Sequence, residues 1–576
     1  MKHLLVFLRP VAGGLLLAGT LKGLGAVMDL LIPTALGILI DDGIAAGDVG
    51  MIYKMIGLML LCLVISLLSN GAAHYYSARY SQQMGEYARN RIFAKVGKLT
   101  PKMLEQFDRP TLITRITNDT ENIQQAVNMC VRPLMRGIVF IVVGLILSLL
   151  VDVGLTIPIF IGMFFVTIAS SMVYKITRPL FRKVQKGIDV LNRVLRENID
   201  GIRFIKALDK SEYEINRFVQ PVMQVRKSEE KAGKTQGVIQ PGVQFLANAV
   251  MIMVVFVSES RIATGEISVG DVVTVTSYVS MILMASNMMP RVIMMLSRAN
   301  ISAERINQVL ECDDIMQYGE ECAATLNEGV PELEFRNVTF TYPGAPAPCL
   351  QNLSFRLQKG ETLGITGDTG CGKTTLIALV LRFYDPQQGT ILFRGKSLQS
   401  YDKDTLRGSV TAALQQFDMF AADLTENICL GLPLQEEPFA QAIATAQLSS
   451  LFETDEKGER VVTQRGTNLS GGQKQRVSVA RTLYRDAAIT MLDDVSGGLD
   501  YYTDQALRKA IAQNYAGKTI LIASQRVSSV QQADKIIVLE KGKIVGMGDR
   551  ATLEVSCTKY QEMCRVQRAG SEAVSC

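Results

Sequence analysis

Eight consecutive residues, Gly367-Asp368-Thr369-Gly370-Cys371-Gly372-Lys373-Thr374, fit the pattern G-x-x-x-x-G-K-[ST] without a mismatch. The residue types suit one chemistry, the cradling of phosphates. Glycines at 367, 370 and 372 let successive backbone N–H groups close around an anion, and the amino end of a following helix adds positive potential. Lys373 would neutralise the outer phosphates, and the Thr374 hydroxyl, with Thr375 behind it, would face Mg²⁺. Residues 362–365 are apolar enough for a buried strand and 375–381 have the composition of a helix, so strand, loop and helix stand in the order the motif needs. A second acid joins them: the apolar run 487–492 ends in Asp493, where α/β folds of this kind set a carboxylate against the metal shell. ATP and Mg²⁺ are the expected ligands. The field that attracts phosphate would also favour thiolate at Cys371 and make it alkylation-sensitive, unless it is only a small residue that fits.

These residues need a domain to hold them, and the chain is long enough for more than one. At 576 residues it exceeds a single core, and its long uncharged runs fall almost entirely in the first three hundred positions. A membrane half followed by a soluble half is expected. The net charge of +5 is small for this length and forms no basic tract, which argues against nucleic acid as a partner. Ten cysteines are scattered without a C-x-x-C pair, and most lie between Cys312 and Cys576, in the half expected to hold ATP in the cytosol; they read as thiols. The first ten residues lack the small-residue site of a cleavable signal.

Six stretches have the length and apolarity of membrane spans: 11–40, 55–77, 137–151, 153–174, 237–258 and 272–296. The third and fourth meet at Asp152-Val153-Gly154. The connections 79–136 and 175–234 are long and rich in Lys and Arg, whereas the others are short with few cations. By the positive-inside rule the long ones are cytoplasmic, so the amino terminus and the nucleotide half share the cytosol and the protein is a multi-pass protein of the plasma membrane, in contact with the lipid bilayer. Both long connections carry helical periodicity, through 85–107 and 188–218, and each turns through a polar segment, 108–114 and 209–214, suited to seat against a soluble domain.

Inside the spans, Lys22 and Asp29 lie two turns apart on one helix face, and Arg291 stands beside Pro290. A polar transport path and internal pairing are both open. Met281, Met284, Met288 and Met295 recur at helical spacing in the sixth span, as adaptable wall for an apolar cargo or as packing. Around 311–330 the pattern breaks into Cys312-Asp313-Asp314 and Asn327-Glu328-Gly329, a linker. The expected division is a membrane domain over 1–311, a linker over 312–330, a cassette over 331–567 and a tail over 568–576. The fold class is a six-helix all-α membrane domain followed by an α/β nucleotide-binding domain.

About a hundred residues past the phosphate loop stands Asn468-Leu469-Ser470-Gly471-Gly472-Gln473-Lys474-Gln475-Arg476. With it the chain resembles the ATP-binding cassette exporters, as a half-transporter with the membrane domain fused ahead of the cassette. The resemblance implies roles. Tyr342 would stack on adenine, Gln415 would join metal and membrane domain, Asp500 would be the D-loop aspartate, and Ser470, Gly471, Gly472 and Gln473 would face ATP held by another chain. Residues 265–271 resemble the family's entry to its sixth span. The family implies a dimer in which each ATP is sandwiched between one chain's phosphate loop and the other chain's signature.

Two departures are more telling. The family's catalytic Glu after Asp493 is here Asp494, one methylene shorter, and a displacement of about 1 Å can cost on the order of a hundredfold in rate. The chain's histidines are His3 and His74, both in the membrane half, so Gln525 stands in the place of the switch histidine; Gln stays neutral and cannot shuttle a proton. Gln464 likewise replaces a Glu ahead of the signature. These imply a site that holds ATP and splits it poorly, within a heterodimer whose partner is a second half-transporter bearing the Glu and the His. The cargo implied is a small amphipathic or hydrophobic compound, drug-like or lipid-like. A slow homodimer, an ATP-gated regulator or channel, and an importer of the exporter fold remain alternatives; a soluble cassette protein is disfavoured by the spans.

Overall fold

The computed structural model describes residues 2–312, 316–322, 329–453 and 461–574. The chain divides into two compact units, one over Met1–Gly97 and Asp108–Asp313, the other over Lys98–Phe107 and Asp314–Cys576. Much of the expected linker, 313–315 and 323–328, lies outside the described residues, as do 575–576 of the expected tail.

The first unit is helical. Its long helices are Ala12–Ile38, Val49–Val96, Met135–Val151, Val153–Asp200, Ser211–Ala263 and Val269–Leu310. Among the described residues five helical stretches are long and apolar enough to cross a membrane, and Val153–Ala169 adds a shorter apolar run. Three of the long helices start at side-chain caps. Asp48 accepts from the backbone N–H groups of Gly50 and Met51 at 2.8 and 3.1 Å, and Asp152, the one residue between two helices, accepts from that of Leu155 at 2.7 Å. Ser268 and Asp271 form a reciprocal capping box. The first span runs on into a π-helical turn, Leu39–Ala45, from which Asp41 accepts the Gly270 N–H at 2.9 Å and the Ser268 hydroxyl at 2.5 Å. A Cβ on Gly270 would come within 2.2 Å of that carboxylate, so this close approach needs glycine.

The helices of both long connections end where an aspartate takes a left-handed backbone, Asp108 at φ 56° and Asp209 at φ 50°. The polar segments thus fall at true helix breaks. The core of this unit centres on Leu30, Phe140, Leu155, Tyr278 and Ile282, with a second cluster around Met84, Ile92, Ile123 and Ile306. Large side chains such as Leu68, Leu150 and Phe256 are exposed, an apolar surface that a bilayer would cover.

The second unit is α/β. A six-stranded sheet runs in the order β10-β9-β3-β8-β7-β6, where β3 is Thr362–Gly367, β6 Val410–Ala413, β7 Ile489–Asp493, β8 Thr519–Ala523, β9 Lys535–Glu540 and β10 Lys543–Gly548. All pairs are parallel except β9 with β10. The inner strands read as continuous apolar runs because both faces are covered. A separate antiparallel sheet runs in the order β2-β1-β4-β5, where β1 is Leu333–Phe340, β2 Leu350–Leu357, β4 Gln388–Phe393 and β5 Lys396–Ser397. Register is the functional point: Ile365 of β3 and Asp493 of β7 both pair with Ala523 of β8, so three strands end in one row.

Candidate functional site

At that row the chain turns three times. From β3 the phosphate loop leads into the helix Lys373–Val380, with Gly372 as its left-handed N-cap at φ 110°. A Cβ there would meet the Leu350 side chain at 2.5 Å, and one on Gly367 would meet the Leu539 carbonyl oxygen at 2.2 Å, so both turns demand glycine. Buried Lys373 donates from Nζ to the carbonyls of Gly367 and Asp368 at 2.7 and 3.0 Å, drawing its ammonium across the mouth of the loop.

From β7, Asp493 is buried, and burial pushes its carboxyl above the usual range, opposed by a hydrogen bond with Thr374 and reinforced by neighbouring Asp494. Among the described residues its Oδ2 has no hydrogen-bond partner. An orphaned carboxylate oxygen beside a hydroxyl at a helix start is a donor set that suits a hard divalent cation such as Mg²⁺. Asp494 follows in a left-handed conformation at φ 50°, its N–H donating to the Ala523 carbonyl at 2.7 Å and its Oδ1 accepting from the Ser524 hydroxyl at 3.4 Å.

From β8, the Ser524 N–H donates to the Ile365 carbonyl at 3.0 Å, and the Gln525 Oε1 accepts from Thr369 Oγ1 at 3.3 Å. Gln525 therefore lies against the phosphate loop. Asp494, Gln525, Thr369, Lys373, Thr374 and Asp493 share one end of one sheet.

Tyr342 belongs to the same neighbourhood, its hydroxyl donating to Thr375 Oγ1 at 3.2 Å and its ring packed edge to face on Phe340 and Tyr384. Gln415 is exposed in the loop after β6. Ser470 caps the helix Gly471–Tyr484 in a reciprocal box with Gln473, and Asp500 caps Tyr501–Asn514 by accepting the Thr503 N–H at 2.9 Å, which holds its carboxyl below the usual range. Gly472 and Gly498 bring these two starts close: a Cβ on Gly472 would lie 2.9 Å from the Gly498 carbonyl oxygen. Among the described residues no hydrogen bond joins the signature to this chain's own phosphate loop.

For Cys371 the sequence leaves two readings. Cys371 is buried, and burial pushes its thiol up although Lys373 Nζ stands 3.6 Å from the sulfur. Burial and the positive field act on this thiol in opposite directions, with burial the larger, which favours reading Cys371 as a small residue that fits. Two residues escaped sequence reasoning. On the helix Thr558–Val574, Lys559 pairs with Asp368 of the phosphate loop at 2.8 Å, while Gln567 donates to the Gln525 carbonyl and accepts the Val527 N–H, each at 2.8 Å. They fix the loop, from nearly two hundred residues downstream, and the segment after β8, from about forty, and no local pattern marks them.

In the membrane unit, Lys22 and Asp29 are held by internal partners. Lys22 Nζ donates to Asn70 Oδ1 at 2.6 Å, and Asp29 accepts from the Ser66 hydroxyl at 2.5 Å and pairs with Arg136 at 3.0 Å. The methionine stripe splits: Met284 and Met288 are 58% and 41% exposed and line cavities, whereas Met295 is buried at 9%.

Comparison with known proteins agrees with this geometry. Residues 15–286 match the ABC transporter transmembrane region and 350–497 match the ABC transporter cassette. An uncharacterized ABC transporter ATP-binding protein of Bacillus subtilis is 32% identical over 587 residues, covering 100% of each chain. A probable multidrug resistance ABC transporter ATP-binding/permease protein of the same organism is 28% identical, covering 94% of this chain and 93% of the relative. Among solved structures, a bacterial Atm1-family ABC exporter with ATP bound superposes with a TM-score of 0.78 at 21% identity, covering 98% of this chain and 100% of that one. With a helical membrane region, a cassette whose phosphate loop, metal-facing acid and signature are all present, and relatives matched end to end, the chain belongs to the ABC transporter family, as a multi-pass, exporter-type half-transporter that carries its ATP-binding cassette on the same polypeptide.

Proposed function

We propose that this chain is the degenerate-site subunit of a heterodimeric, ATP-driven exporter of small amphipathic or hydrophobic compounds. Its membrane domain would cover 1–311 and its cassette 331–567. Lys373 and the loop N–H groups would grip the phosphates, and Thr374, Gln415 and Asp493 would hold Mg²⁺, which when bound offsets phosphate charge. Tyr342 would stack on the base. Ser470, Gly471, Gly472 and Gln473, with Asp500 behind them, would complete a competent site on an unlike partner that carries the Glu and the His.

The observation that supports this best is the pairing of Gln525 with Thr369 at 3.3 Å, which sets a neutral amide beside the phosphate loop where the family uses a proton-carrying histidine. Asp494 adds to it. A carboxylate one methylene short, engaged with Ser524 at 3.4 Å, is poorly set to orient an attacking water. The multidrug name of one Bacillus relative agrees with an amphipathic cargo and an outward direction. A slow homodimer is the second reading, favoured by the carboxylate that Asp494 retains. The test is Asp494→Glu with Gln525→His in the assembled pair: hydrolysis at this site should rise, and unchanged turnover would count against the assignment.

A further inference from the structure

The membrane unit carries a cavity of about 280 Å³ that the nucleotide chemistry does not use. One wall is cationic, built from Lys22, Arg132 and Arg136; the other is soft and apolar, built from Phe140, Met284 and Met288. A second cavity of about 390 Å³ is lined by the same Met284 and Met288 together with Asn248, Asn287 and Arg291, so the two meet along the methionine wall. No residue lining either cavity is acidic among those described.

The charges are not balanced internally. Asp29 is the carboxylate that engages the group, through Arg136 Nη2 at 3.0 Å, and it also accepts from Ser66. Lys22 is buried and is held by neutral partners, Asn70 Oδ1 at 2.6 Å and His74 Nε2 at 3.3 Å. Arg132 donates to the His74 carbonyl at 3.0 Å, and Arg136 lies 4.8 Å over the Phe140 ring. Among the described residues the Nε atoms of Arg132 and Arg136 are buried without a hydrogen-bond partner. Among the described residues three cations share one carboxylate, with Lys22 buried, an expensive arrangement that an anion entering the cavity would relieve. Arg132 also sits on a π-helical turn, Cys130–Leu134, whose widened register re-aims side chains.

Resting on the transporter reading above, we propose that this cavity selects acidic amphiphiles, binding a phosphate- or carboxylate-like head at Lys22, Arg132 and Arg136 while an alkyl or aryl tail lies along Met284 and Met288. Guanidinium forks match such heads with paired N–H donors, and the flexible thioethers accept tails of varied shape.

Binding isotherms on the full chain in phosphatidylcholine nanodiscs test this with dodecyl phosphate, inorganic phosphate and dodecyltrimethylammonium. Dodecyl phosphate should bind at least about tenfold tighter than either other probe, because head and tail are recognised together. Arg132→Gln should weaken it by about tenfold. Met284→Glu, at a well-exposed position that tolerates change, should weaken it similarly and tighten the ammonium probe. Equal binding of the two dodecyl compounds, inorganic phosphate binding as tightly as its dodecyl ester, or both variants behaving like the parent would overturn the proposal. The readout needs neither hydrolysis nor a second subunit, so it stands or falls apart from the degenerate-site assignment.

Discussion

The gripping side and the splitting side of the nucleotide site are built differently. Lys373 and Asp493 are buried, and the loop that carries Lys373 can only be glycine at its turns, with approaches of 2.2 and 2.5 Å at Gly367 and Gly372. The side chains of Asp494 and Gln525 accept hydrogen bonds of 3.4 and 3.3 Å from the hydroxyls of Ser524 and Thr369. The first side tolerates almost no substitution without losing its shape. The second is held by longer side-chain bonds, so its residues can change with less cost to the local shape, as the proposed weak site requires.

Changes on the gripping side should therefore have the largest effects. Lys373→Ala removes a buried ammonium that spans the loop mouth, and ATP affinity, read by a fluorescent analogue, should fall by on the order of a hundredfold. An affinity within a factor of about two of the parent would show that the loop does not hold the phosphates through this residue. On the splitting side, Asp494→Glu with Gln525→His should raise single-turnover hydrolysis at this site by about tenfold or more while leaving ATP affinity near that of the parent. A rise in affinity instead of rate would merge the two sides.

Alkylation of Cys371 probes the gripping side in another way. Because burial pushes its thiol up, thiolate appears only at higher pH than for an ordinary cysteine, so labelling by N-ethylmaleimide at neutral pH should lag a free thiol by about tenfold and accelerate as pH rises. Labelling faster than a free thiol would mean that the Lys373 field wins after all. The smallest effect is expected at Gln567→Ala. It deletes two hydrogen bonds that hold the Gln525–Val527 segment, each contributing about 1 kcal/mol, and should lower thermal stability by a few degrees while changing ATP affinity little.

Sequence and structure divide along the same physical line. The phosphate loop, Asp493 and the signature were legible because each is contiguous and its chemistry is local: glycines that must turn, a lysine that must follow, an acid that must end an apolar strand. Spans were legible because twenty apolar residues have few other uses. What could not be read was contact between distant segments. Lys559 meets Asp368 and Gln567 meets Gln525 across long intervals, and Lys22, Arg132 and Arg136 meet only when separate helices pack. The two readings of Cys371 stay open in the sequence for a related reason, since a positive neighbour is visible there and the depth of burial is not.

The account turns on whether the chain by itself can hydrolyse ATP. Purified in lipid nanodiscs without any other subunit, it should bind ATP and hydrolyse it slowly, with turnover appearing when an unlike half-transporter bearing the Glu and the His is added. Rapid hydrolysis and cargo transport by the chain alone would contradict it.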